Sequence, residues 1–188
     1  RGLCEGILPP PPGTGRPRLL LPDVVFGAVT KVYSTLSGRR AMSDLRTCQG
    51  QGYMTRTPHY NTVFHYLDDP ALTPILKILV EESASPLKAV ETDFAVDTSG
   101  FSTSIFARWF DEKYGRLRSK HEWIKVHLIV GVKTNVVTGV EITEANAHDA
   151  PQLPALVGAT ARRFAISEVS ADKGYTSKRN LETIAAVG

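Results

Sequence analysis

"FAVDTSGFSTS", Phe94–Ser104, sets one acid, Asp97, at the end of an apolar run and follows it with small hydroxylated residues and a glycine. The run belongs to "KAVETDFAVD", which alternates: Val90, Thr92, Phe94 and Val96 fall on one face, and Glu91, Asp93, Ala95 and Asp97 on the other. That period of two predicts a half-buried strand. Downstream, "WIKVHLIVGV" and "VVTGVEIT" are β-rich runs joined at Lys133-Thr134-Asn135, the pattern of an antiparallel hairpin. "HDAPQLPALVGATARRF" predicts a helix with Pro151 and Pro154 in its first turn. "AISEVSAD" predicts a short strand ending at Asp172, and "SKRNLETIAAVG" a last helix capped by Ser177, with Leu181, Ile184 and Ala185 on one face.

Before Pro86 the pattern is helical. Val25, Val29, Val32 and Leu36 recur at helical spacing through "DVVFGAVTKVYSTLSG", with Pro22 at the start and Gly38 at the stop. "SDLRTCQG" predicts a short second helix and "HYNTVFHYL" a third ending before Asp69-Pro70. A fourth covers residues 71–82, where Leu72, Ile75, Leu76 and Leu79 line one side. "LPPPPGTGRPR", Leu8–Arg18, is too rich in proline and glycine for helix or central strand and reads as an extended arm. Three regions follow: an arm over 1–19, a helical region over 20–86, and an α/β domain over 87–188.

The 188 residues can bury a core without staples, and 42% hydrophobic with 22% charged residues is ordinary globular usage. No apolar stretch reaches the roughly 18 residues that span a bilayer, so a cytoplasmic setting is expected. Cys4 and Cys48 make neither a metal spacing nor a disulfide framework. The net charge of +3 leans towards an anionic partner. Residues 1–90 hold ten basic against seven acidic residues, and residues 91–188 hold twelve of each, so the first half carries the whole excess.

Two chemistries place an acid as Asp97 is placed. An aspartic protease needs two carboxylates sharing a proton, hence a second copy of the motif or a symmetric dimer through it. Only one copy exists here, Ser99 separates the hydroxyl residue from the glycine, and the first half is helical. Metal-dependent phosphoryl transfer needs a second carboxylate at a strand end, and Asp172, followed by "KGY", offers one. The interval between the two acids leaves room for a hairpin and a crossover helix. Two oxygen ligands suit Mg²⁺, which takes one or two protein carboxylates and completes its shell with water and substrate phosphate. Asp93 shares a face with Asp97, but four residues of strand is about 13 Å, too far for one ion held at about 2.1 Å. The simpler alternative, that Asp97 and Asp172 each bond amides in their own turns, stays open on the residues alone.

"GRPRLLLPDVVFGAVTKVYSTLSGRRAMSDL", "FAVDTSGFSTS", "WIKVHLIVGVKTNVVTGVEI" and "VSADKGYTSKRNLETI" together resemble the DDE transposases of bacterial insertion sequences. The likeness runs in order from about Gly15 to Gly188. It implies an incomplete ribonuclease H-like mixed β-sheet with flanking helices behind a helical N-terminal region. By position, Asp97 matches the first catalytic and metal-binding aspartate and Asp172 the second. The resemblance further implies Mg²⁺ or Mn²⁺, cutting and joining of DNA at inverted-repeat ends and target DNA, a homodimer holding two ends, and a bacterial, nucleoid-associated setting. The family's third acid is a glutamate on a later helix, and none of Glu141, Glu144, Glu168 or Glu182 stands in its context. The expectation is a fragment, inactive alone; the alternative is a dead remnant that only binds DNA.

"FARWFDEKYGRLRSKHEWIK" interleaves Lys113, Arg116, Arg118, Lys120 and Lys125 with Trp109, Phe110, Tyr114 and Trp123, cations for phosphates and rings for bases. Arg16, Arg18, Arg39 and Arg40 decorate the arm and first helix and suit recognition of element ends. His127 reads as a packed, hydrogen-bonded residue, and His148-Asp149 as a helix start. Lys173 and Tyr175 flank Asp172, where they can orient substrate.

Overall fold

The computed structural model describes residues 1–8, 19–102 and 123–187. The chain divides into two compact units, Arg1–Leu79 and Val80–Gly188. Among the described residues no helix is long and apolar enough to cross a membrane.

The first unit is helical: α1 (Gly2–Glu5), α2 (Leu21–Ser34), α3 (Gly38–Gly50), α4 (Tyr60–Leu67) and the first half of α5 (Leu72–Ala84). Pro22 sits in the first turn of α2, where its missing N–H costs nothing. The helix ends at Ser34 because Thr35 turns left-handed, with φ 56°. Gly38 therefore does not stop α2; it opens α3. A Cβ there would lie 2.5 Å from Cε2 of Phe64, so the missing side chain lets α3 close onto α4. The buried face of α2 also differs from the expected stripe. Val24, Val25 and Ala28 are buried, whereas Val29 and Val32 are about half exposed. The α3–α4 side decides this: Ala28 packs with Leu45, Met54 and Val63. Val25 turns to Cys4 and Leu72, and Ile75, Leu76 and Leu79 of α5 pack onto that second cluster. Residues 1–8, assigned to the extended arm, thus begin with a helical turn that buries the free thiol of Cys4.

The second unit is a four-stranded sheet, β1 (Asp93–Ser102), β2 (Trp123–Gly131), β3 (Val137–Glu144) and β4 (Glu168–Ala171), in the order β3-β2-β1-β4. The β1–β2 and β2–β3 pairs are antiparallel, and β4 joins the free edge of β1 in parallel. Between β3 and β4 runs α6 (Leu153–Ala161), which packs on β2 and β3; α7 (Lys178–Ala185) packs on α6. Phe94, Val96 and Ile129 from the sheet meet Leu153, Leu156 and Val157 from α6 in one core. On α7 the expected apolar face is only partly used. Ile184 packs on the core, Leu181 is exposed, and the buried residue of the first turn is Asn180.

The first strand begins five residues later than the alternation suggests, and runs past Asp97 to Ser102. Residues 85–90 form a 3₁₀ turn and a following bend, with Val90 and Glu91 both bonded back to the Leu87 carbonyl. Glu91 then turns inward and is fully buried. Its carboxylate accepts the backbone N–H groups of Lys133, at 3.3 Å, and Thr134, closing the β2–β3 hairpin. Burial pushes this carboxyl up, but the hydrogen bonds from Thr134 and Lys133 outweigh it and hold it below the usual carboxylate range. A Cβ on Gly131 would stand 2.6 Å from Cδ of Glu91. Gly131→Ala is therefore expected to cost about 1–3 kcal/mol through overpacking. Denaturant unfolding checks it, and Glu91→Ala in the same chain should remove most of the added penalty.

Candidate active site

The β1–β4 pairing positions the two acids. Its last paired rung is Val96 with Ala171, and Asp97 and Asp172 are the next residues on the two strands. Adjacent strands lie about 4.8 Å apart, and residues abreast on parallel strands share a face. Phe94, Val96 and Val169 take the core side, which leaves Asp97 and Asp172 together on the other, both exposed. Asp97 Oδ1 accepts the N–H of Thr98 at 2.7 Å. Asp172 Oδ1 accepts the N–H of Gly174 at 2.8 Å and so caps the 3₁₀ turn Lys173–Tyr175. Among the described residues, the second oxygen of each carboxylate takes no hydrogen bond. Nor do three or more His, Cys, Asp or Glu side chains there gather into a metal-type cluster. Two hard oxygen donors abreast at the ends of neighbouring strands, open to solvent, are of the type that Mg²⁺ accepts before filling its shell with water and phosphate.

Beneath these acids lies a buried polar cluster. Tyr175, expected beside the substrate, turns inward and is 2% exposed. Its hydroxyl meets that of Thr98 and lies 2.9 Å from Nδ1 of His127. His127 is fully buried, and its Nε2 is 2.9 Å from the hydroxyl of Thr143. Burial holds the imidazole below its ordinary value; Asp149, 3.9 Å away, opposes this, and Lys125 reinforces it. The phenol is raised, first by burial and then by Asp149, Asp172 and Asp97, against the Thr98 hydrogen bond.

Asp149 escaped the sequence reading, which took it only as a helix start. Its Oδ1 accepts from Lys125 Nζ at 3.0 Å. Its Oδ2 and Asp172 Oδ1 approach the same point, 3.3 and 3.0 Å from where a Gly174 Cβ would sit. Lys125 also donates to the Ala147 carbonyl at 2.9 Å. Asn180 was missed as well: its amide donates to the carbonyls of Tyr175, at 2.7 Å, and Ala150, at 2.8 Å. A polar residue in the first turn of a helix reads as solvent-facing, and nothing local signals otherwise.

The remaining candidate cations separate. Lys113, Arg116, Arg118 and Lys120 lie outside the described residues, as do Arg16 and Arg18. Arg39 and Arg40 are exposed at the start of α3. They line a cavity of about 530 Å³ with Arg46, His59 and Tyr60, Asp44 being its one acid. The Arg39 guanidinium lies 5.8 Å from the centre of the Tyr60 ring.

A family model described as the transposase DDE domain matches residues 88–188, more than half of the chain and the whole sheet with its two acids. No curated protein and no solved structure matches. The matched stretch, its mixed sheet and the family description agree, and the chain belongs to the DDE transposase family.

Proposed function

We propose that Asp97 and Asp172 hold divalent cations, Mg²⁺ or Mn²⁺, and that with them the protein cuts DNA strands at element ends and joins them to target DNA. The observation that carries this is the β1–β4 register, which sets the two acids abreast just past the last paired rung, with one carboxylate oxygen of each unengaged among the described residues. When bound, such cations lower the cost of charge on the entering and leaving oxygens of a phosphodiester. The chain's own residues supply placement. The Thr98 and Gly174 amides fix one oxygen of each carboxylate. Lys125, with two N–H groups given to Asp149 and Ala147, keeps a third for a phosphate.

Mn²⁺ titration of the chain, followed by paramagnetic broadening of the aspartate carboxyl signals, tests the site. Asp97 and Asp172 should broaden first and Asp93 later. Broadening of all acids alike would sink the assignment.

Arg39 and Arg40, together with Arg46, are the proposed phosphate contacts of the helical unit, and Lys113, Arg116, Arg118 and Lys120 those of the segment after β1. What supports the first group is the concentration of three arginines around one cavity. Each of Arg39→Ala and Arg40→Ala should weaken DNA binding on all sequences alike and reduce the salt slope by about 1. Fluorescence anisotropy at several salt concentrations measures both. An unchanged slope in the double variant removes these residues from the interface.

A further inference from the structure

The sheet buries, directly under the two exposed acids, side chains that a core ordinarily leaves out. Tyr175, His127 and Thr98 form a triangle: phenol to threonine hydroxyl, phenol to Nδ1 at 2.9 Å, and threonine hydroxyl to Nδ1 at 2.9 Å. Thr143 on β3 takes the other ring nitrogen at 2.9 Å. Burying such groups is costly unless each is bonded. Among the described residues every buried side-chain nitrogen and oxygen has a partner. Apolar side chains of similar size would fill the same space with no such demand. What the polar set adds is directionality, since hydrogen bonds fix distance and angle where apolar contacts tolerate sliding.

Its location says what is being fixed. Thr98 follows Asp97 on β1, and Tyr175 lies three residues after Asp172 in the turn that leaves β4. The Thr98–Tyr175 contact therefore cross-links the two strand ends that carry the acids, beyond the last paired rung of β1 and β4. His127, opposite Thr98 on β2, bonds both members of that link. From behind, Asn180 holds the Tyr175 carbonyl and ties it to Ala150, next to Asp149.

We propose that Tyr175, acting through Thr98 and His127, is a positioning residue that sets the spacing of Asp97 and Asp172 and thereby the affinity of the pair for divalent cations. The inference rests on the metal-binding reading of those acids. Groups that orient ligands from outside the ligand set typically contribute 10- to 100-fold to affinity.

The test uses Mn²⁺ as probe and the whole chain, with free ion measured by electron paramagnetic resonance. Tyr175→Phe keeps the ring in the core and removes one oxygen. Thr98→Val removes the other hydroxyl at nearly constant shape, and Thr98→Ser restores it. The expected result is Mn²⁺ affinity reduced about tenfold in Tyr175→Phe and Thr98→Val, and near wild type in Thr98→Ser. Ile129→Val, in the same core but outside the polar triangle, should lower the melting temperature with affinity unchanged. If wild type binds Mn²⁺ through Asp97 and Asp172 while Tyr175→Phe and Thr98→Val bind equally well, the inference is overturned and the metal reading stands. If Mn²⁺ binding is indifferent to Asp97→Asn and Asp172→Asn, both fall. Should Tyr175→Phe not fold, the Thr98 pair decides alone.

Discussion

On the proposed reading, Asp97→Asn should lower DNA strand cleavage by the protein about a thousandfold or more, and Asp172→Asn should do the same. Charge stabilisation by a bound cation is worth several kcal/mol in the transition state, and ~4 kcal/mol is about a thousandfold in rate. Loss of one of two anionic ligands forfeits most of that. The fold should survive both changes. Each carboxylate is exposed and, among the described residues, engages one oxygen, which accepts the Thr98 or Gly174 N–H, and an asparagine oxygen can accept the same bond. Melting temperatures close to wild type would confirm that chemistry, and not folding, was removed. On the proposed reading the two acids hold the same cations, so the double variant should be little worse than either single one. Asp93→Asn is the control. It lies on the same face of β1 but pairs with Glu168 four rungs away from the site, and should leave cleavage within about twofold of wild type. Cleavage within tenfold of wild type in either Asp97→Asn or Asp172→Asn would refute the proposed site.

Local period carried the reading as far as it could go. Phe94 and Val96 alternate with Asp93, Ala95 and Asp97, and they are buried in the core they share with α6 side chains. The hairpin turn at Lys133–Asn135 was legible from its residues, and Asn135 duly takes the left-handed conformation, with φ 57°. Where the reading failed, the deciding partner was distant in sequence. Glu91 extended the apparent alternation, yet its carboxylate belongs to amides more than forty residues on, at Lys133 and Thr134. Val29 and Val32 satisfied helical spacing as well as Val24 and Ala28 did, and only the placement of Leu45, Met54 and Val63 chose between them. At the site, Asp97 and Asp172 stood out because each ends an apolar run. Asp149 and Asn180 stood in no run: Lys125 on β2 reaches Asp149 from beside the β2–β3 hairpin, and only the crossover through α6 brings Gly174 near Asp149 and Asn180 near Ala150.

The helical unit has its own buried acid, and removing it should be the most damaging single change there. Asp23 is 1% exposed at the start of α2. It accepts from Arg1 Nη1 at 2.7 Å, from the backbone N–H groups of Thr55, at 3.0 Å, and Arg56, at 3.1 Å, and from the Thr55 hydroxyl. One carboxylate thus ties α1, α2 and the loop between α3 and α4. Asp23→Ala strands those donors and a partly buried guanidinium, and should cost about 3–5 kcal/mol. Burial pushes the Asp23 carboxyl up, but bonds from Thr55, Arg56 and Arg1 prevail and hold it below the usual range. The unfolded chain, with a carboxyl near 3.9, therefore binds the proton more readily. The contribution is complete above that value and is lost as the pH falls through the lower folded one. Both tryptophans lie in residues 109–123, so amide exchange at Val24–Ala28 reports this unit where fluorescence cannot. Asp23→Ala should speed that exchange by at least a hundredfold at neutral pH, and its stability should be flatter than wild type's as the pH falls below the unfolded carboxyl's value. Wild-type protection in Asp23→Ala would mean that the four donors find other partners, and that the carboxylate organises nothing.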